Sequence, residues 1–282
     1  MADMKLFLGC VIPNRLPHLE QASRLVLEKL GIEVSDAPFA CCPDPVGFNS
    51  FSNDTWLTLG ASNLAIAEAE GKDIISLCNG CTQTLKAVNH ELKHSEYKKE
   101  IVNSRLSKVK KEFKGTSKVK HFVQVLIEDV GIKKIKSLVT KPLTGLKVAC
   151  HTGCHYARPH DVMQWDDPFE PKYLRELVSA LGASIVDYEK EWVCCGSGAA
   201  NTSKEIGDAV TDSKINSAIN AGAECFGVVC PACFQQLDGQ KKIPVFYLTQ
   251  LMAMAMGLGD SKELNVKFHQ TKPMQLLAKL SL

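Results

Sequence analysis

No stretch of this chain reaches the ~18 uninterrupted apolar residues that a membrane-crossing helix needs. The nearest approach, VFYLTQLMAMAMGLG, is short and mixed, so no membrane span is expected. The opening residues, MADMKLFLGC, lack a basic stretch followed by a long apolar core, which speaks against an export signal. Charge of one sign is missing too: 33 Lys and Arg against 31 Asp and Glu leave +2, a poor footprint for a nucleic-acid protein. There is no G-x-G-x-x-G for a flavin or nicotinamide, and no C-x2-C-x2-C-x3-C-P for ferredoxin cubes. What remains is a 282-residue chain, 45% hydrophobic, able to bury one large or two medium cores without disulfide staples. Its 12 cysteines therefore point to a reducing, cytoplasmic setting in which thiols bind metals or do redox work.

Ten of those cysteines form two copies of one pattern: a single Cys, a Cys-Cys pair, then C-x-x-C. The first copy is Cys10, Cys41, Cys42, Cys78 and Cys81, with gaps of 30 and 35 residues. The second is Cys154, Cys194, Cys195, Cys230 and Cys233, with gaps of 39 and 34. A structural zinc closes with four ligands, so five thiols per copy is one too many. A lone CNGC or CPAC would suit a zinc knuckle or a thioredoxin-like dithiol, but either leaves the Cys-Cys pairs unexplained. Polynuclear iron–sulfur sites can use adjacent sulfurs, and five thiols exceed the four of an ordinary cube.

The repeat extends beyond cysteine. MKLFLGC (4–10) and LKVACHTGC (146–154) read as buried strands stopping at a Gly turn. Residues 19–31 and 172–182 follow with helical apolar spacing and a closing Gly. IEVSD and ASIVD read as second strands leading to the Cys-Cys pairs, and helices are expected over 55–71 and 204–222. DIISLC (73–78) and CFGVVC (225–230) read as third strands that deliver CNGC and CPAC. VKHFVQVLIEDVG (119–131) matches PVFYLTQLMAMAMG (244–257) through Gln124 and Gln250. The expected fold is α/β: two repeated domains, 1–143 and 144–282, each a small mainly parallel sheet with flanking helices, related by a pseudo-twofold axis. Cysteines at the carboxyl ends of strands sit where open α/β sheets build their sites.

These motifs (FLGC, CCP, TWL, CNGC, CHTGCH, CCGSG and CPAC) resemble the CCG cysteine-rich domain, and the double copy resembles the heterodisulfide reductase B-subunit family over nearly the whole chain. The x30 and x34 gaps and the CCP of copy one depart slightly from that pattern without removing a sulfur. The resemblance implies two noncubane [4Fe–4S] clusters, one on each five-cysteine set, with a mixed disulfide of coenzyme M and coenzyme B reduced between them. It also implies two partner subunits: a small iron–sulfur protein, and a flavin-containing protein that bifurcates electrons. In some assemblies a hydrogenase or formate dehydrogenase joins them, and the setting is methanogenesis in archaea. The alternatives are a related protein acting on another disulfide or sulfur carrier, and a CCG electron-transfer component of a dehydrogenase or quinone-linked complex. A zinc-stabilised interaction module is a third.

Four further residues are candidates. Arg15 and Arg158 follow the first Cys of each copy and would meet an anionic substrate; an exposed Arg is the plainer reading. His151 and His155 flank Cys154 and would donate hydrogen bonds or a proton. Cys150 and Cys225, outside the repeat on apolar runs, read as core residues. The Lys-rich stretch 84–120 reads as a solvated helical face, or as a docking face for an acidic redox partner.

Overall fold

The computed structural model describes residues 3–279. Two four-stranded, fully parallel sheets carry the chain. The first consists of β1 (Met4–Phe7), β2 (Val34–Ser35), β3 (Asp73–Ser76) and β4 (Val119–His121), in the order β2-β1-β3-β4. The second consists of β5 (Lys147–His151), β6 (Ser184–Ile185), β7 (Cys225–Val228) and β8 (Val245–Tyr247), in the order β6-β5-β7-β8. Both sheets thus share one order, and the β-α-β-α-β repeat read from the sequence is a repeat in space. Parallel strands need covered faces, and the strands comply: every residue of β1 and of β7 is buried.

Each crossover helix forms for ordinary reasons. Helix Pro17–Leu30 starts with proline in its first turn and turns Leu19, Ala22, Val26 and Leu30 inward at three- and four-residue steps. It stops at Gly31, whose φ of 71° is the left-handed C-terminal conformation that glycine adopts without penalty. Its counterpart, Tyr173–Ala180, is shorter and ends before Gly182.

The strands are shorter than the apolar runs suggest. β1 stops at Phe7, and β3 and β7 stop at Ser76 and Val228, two residues before Cys78 and Cys230. β2 and β6 hold only two residues each. The chain leaves each sheet early, so the ten repeated cysteines lie beyond the carboxyl edges, in loops and the first turns of the C-x-x-C helices, and not on the strands.

One apolar core runs through both halves, and a second lies within the first half. Helix Pro17–Leu30 packs on Leu248–Ala255 of the other half, where the hydroxyls of Ser23 and Thr249 lie 2.9 Å apart. From the other side, Tyr173–Ala180 of the second half packs on Ile132–Ser137 of the first. The short helices after Cys10 and Pro159 each lean on the opposite half's C-x-x-C helix. At one of these contacts Lys86 Nζ donates to the carbonyl of Met163 at 2.7 Å.

Burial lowers the Lys86 ammonium to about 8. A lysine whose folded value is lowered is charged in both states below pH 8, so its desolvation cost is fully present there. Between pH 8 and the usual lysine value the unfolded chain holds more protons, and stability rises with pH. Urea unfolding from pH 7 to 10 is expected to show wild type gaining about 2 kcal/mol relative to Lys86→Met. A flat difference would show that Lys86 is solvated.

Candidate metal centre

The first thiol set gathers three loops. Cys10 follows β1, Cys41 and Cys42 follow β2, and Cys78 and Cys81 open helix Asn79–Lys93. Side chains of neighbouring helices pin the Cys-Cys loop. Asn63, fully buried, accepts from Ala40 N–H at 2.8 Å and donates to Cys41 O at 3.1 Å. Thr84 donates to Pro43 O at 3.0 Å. In the second half Thr211 does the same work: its hydroxyl donates to Cys195 O at 2.8 Å and accepts from Gln236 at 2.9 Å. None of these three was legible in the sequence, since only the fold brings their helices beside the loops.

Within each set the thiols interact directly. Cys41 neighbours Cys42 and Cys10, and Cys42 and Cys78 neighbour Cys81. Cys194 neighbours Cys154 and Cys195, while Cys233 neighbours Cys195 and Cys230. Cys78 also neighbours Cys230, so the two sets meet at the interface between halves.

Crowding splits their acidities. Donation from Cys41 and Cys81 holds Cys42 down at about 4. The thiols of Cys154 and Cys195, with Gly196 N–H at 3.3 Å, hold Cys194 far below the usual thiol range. Cys230 is held well down by Cys233 and Cys78, then by the N–H groups of Cys233 and Ala232 at the helix start. Their partners Cys41, Cys154 and Cys81 are pushed up, mainly by those same neighbours. Metal ligation would take the raised thiols as thiolates too, with the charge of bound cations offsetting their repulsion.

The surroundings fit a bulky metal group. A Cβ on Gly9 would sit 2.7 Å from Cys81 Sγ; one on the equivalent Gly153 would sit 3.2 Å from Cys233 Sγ. Both glycines have positive φ, 67° and 89°. His151 is buried beside the Glu191 backbone, and burial holds its imidazole neutral, at about 3. One of its ring nitrogens lies within 4.8 Å of Cys195 and Cys233 Sγ, which lie equally close to each other. A neutral ring carries one N–H, suited to a metal-bound sulfur.

The other candidates lie further out. His155 is half-buried in the loop after Cys154. Arg15 and Arg158 are exposed; Arg15 lines a groove with His18, Phe234 and Asp238, and Arg158 precedes a cis proline. Cys150 and Cys225 are buried in β5 and β7, as expected of core residues. The Lys-rich stretch forms two helices, Asn79–Lys93 and Glu96–Leu106.

Comparison with known proteins matches a cysteine-rich domain model, CCG, to residues 4–86 and again to 148–238. The chain is 37% identical to the B subunit of the ferredoxin/F420H2-dependent CoB–CoM heterodisulfide reductase of Methanosarcina acetivorans, across 99% of this chain and 97% of that one. It belongs to the CCG family that includes the B subunits of heterodisulfide reductases. Other members of this family are named differently. The membrane anchor protein of the 8-methylmenaquinol:fumarate reductase of Wolinella succinogenes is 30% identical over 94% of this chain and 95% of its own length. A solved hypothetical protein from Helicobacter pylori shares the fold, with a TM-score of 0.75 at 17% identity. It aligns with 96% of this chain, which spans about half (52%) of that structure. Among the described residues, no helix of this CCG protein is long and apolar enough to cross a membrane.

Proposed function

We propose that this chain is the catalytic component of a heterodisulfide reductase, with its two CCG domains divided at 143/144. The carrying observation is the approach of the two five-thiol sets at Cys78 and Cys230, whose preceding carbonyls, Leu77 O and Val229 O, both lie within reach of the Tyr247 hydroxyl. On this reading Cys10, Cys41, Cys42, Cys78 and Cys81 hold one noncubane [4Fe–4S] cluster. Cys154, Cys194, Cys195, Cys230 and Cys233 hold the other. Such clusters supply single electrons when bound, and a facing pair matches the two electrons a disulfide takes up. The protein's own part is placement and shielding. Gly9 and Gly153 leave room, Asn63 and Thr211 hold the loops, and His151 presents one N–H to the second site. Arg15 and Arg158 remain candidates for the anionic arms of a coenzyme M–coenzyme B disulfide, and His155 for proton delivery.

The sequence carries no flavin or nicotinamide fingerprint, so the electrons come from partner subunits, one an iron–sulfur protein and one a flavin protein. Lys93 and Lys118 line a groove of about 330 Å³ beside Lys86 and the ion-paired Lys120, a partly basic face that an acidic donor could meet. The Wolinella relative's name favours one second reading, electron transfer within a quinol-linked complex.

Anaerobic purification followed by iron, sulfide and zinc counting is the first test. About eight irons with matching sulfide are expected, four for each cluster. One zinc per half, for which His151, Cys195 and Cys233 would be an obvious start, would defeat the reading. Reduction of the coenzyme M–coenzyme B disulfide by the iron-loaded chain with an artificial donor is the second. Full iron without turnover of any disulfide would favour the electron-transfer role.

A further inference from the structure

The two halves match closely, but one atom bridges them where the repeat is broken. Tyr247, the last residue of β8, is fully buried. Its hydroxyl lies within hydrogen-bond reach of two carbonyls: Leu77 O in the first half, and Val229 O in the second at 3.1 Å. Those residues immediately precede Cys78 and Cys230, the thiols through which the two sets meet. The peptide unit is planar, so a carbonyl held in place fixes the plane that carries the following cysteine. One hydroxyl, with a single proton to donate to either carbonyl, therefore lies against the peptide before the first thiol of both C-x-x-C motifs.

The rest of Tyr247 is held firmly. Its backbone N–H donates to Gln250 Oε1 at 3.1 Å, and its ring stacks on Phe122 of the first half with centroids 5.6 Å apart. The corresponding residue of the first half is His121, at the end of β4. Its Nδ1 accepts from Val123 N–H, its own helix start, and its ring also faces the Val229 backbone of the other half. His121 has no hydroxyl to meet both carbonyls, so the contact with Leu77 O and Val229 O together belongs to Tyr247.

We propose that Tyr247 is a positioning residue that sets the spacing and orientation of the two cysteine sites relative to one another. The proposal rests on the two-cluster reading above for its spectroscopic consequence, but not for its geometry.

The test compares Tyr247→Phe with Tyr188→Phe. Tyr188 is also buried and its hydroxyl donates to Cys150 O at 2.9 Å, but both residues lie in the second half. Each variant removes a buried hydroxyl with two polar neighbours, Leu77 O and Val229 O for Tyr247 and Cys150 O and Lys214 Nζ for Tyr188, so similar falls in Tm are expected. Only Tyr247→Phe is expected to change the spin–spin coupling between the two centres in the electron paramagnetic resonance spectrum, at unchanged iron content. The metal-free chain gives an independent readout. Cross-linking of Cys78 to Cys230 by dibromobimane, mapped by peptide mass spectrometry, is expected to fall roughly fivefold in Tyr247→Phe and not in Tyr188→Phe. Tyr247→His keeps a polar but shorter ring and is expected to behave like Tyr247→Phe. Wild-type coupling and cross-linking in both Tyr247 variants, with only a lower Tm, would overturn the proposal. Wild type without iron would defeat the two-cluster reading alone, and the cross-linking arm would still decide the role of Tyr247.

Discussion

Gly153→Ala is expected to strip the second thiol set of its metal and to cost about 2–4 kcal/mol of stability. Two independent causes act together. The backbone φ of 89° is one that residues with a Cβ rarely adopt. The new methyl would also lie 2.8 Å from Asn79 Nδ2 and 3.2 Å from Cys233 Sγ. Asn79 has little freedom to retreat, being buried and donating to Thr152 O at 2.5 Å. The displaced group is then Cys233, one of the five thiols. Iron should fall by about half, as one cluster of two is lost, and the urea midpoint should drop. Gly198→Ala is the control. It lies three residues from Cys195 in a short helix, with open space around a new methyl. That variant should keep its iron and gain slightly in stability, by about 0.5–1 kcal/mol. Equal iron in Gly153→Ala and wild type would mean that the cradle is not where the metal sits.

Cysteine substitutions should divide ten against two. Cys233→Ala or Cys195→Ala is expected to remove the second cluster, about half of the iron, while the first remains. Cys81→Ala or Cys42→Ala should do the reverse. Loss of one ligand leaves four thiols in that set, and a structural zinc could close on those. Zinc in place of iron in these variants is therefore worth measuring beside the iron. Cys150→Ala and Cys225→Ala should leave iron unchanged. Each removes a buried sulfur from a strand, at about 1–2 kcal/mol. Iron loss in Cys150→Ala would add a sixth thiol to the second set and spoil its equivalence with the first. Full iron in Cys195→Ala would remove the Cys-Cys pair from the ligand set.

Much of this arrangement was legible in the sequence because its signals are local. The KLFL and FGVV runs, the helical spacing of Leu19, Ala22, Val26 and Leu30, and the closing Gly31 each depend on near neighbours along the chain. Because they recur in one order around recurring cysteines, the sequence alone determined the repeat, the two parallel sheets and the ten candidate ligands. It overestimated strand length, since an apolar run does not show where the chain must leave the sheet; the turn at Gly9 decides that for β1.

Contacts between distant segments had no such local signal. Asn63 and Thr211 look like ordinary helix residues until packing sets them beside the Cys-Cys loops. Asn79 is merely the second residue of CNGC until Thr152 of the other half stands in front of it. Tyr247 is one more aromatic at a strand end until its hydroxyl falls between Leu77 and Val229. The sequence could name two equivalent thiol sets. Only the tertiary structure decided that they meet through Cys78 and Cys230, because the packing of one half's helices on the other fixes how the two sheet edges face.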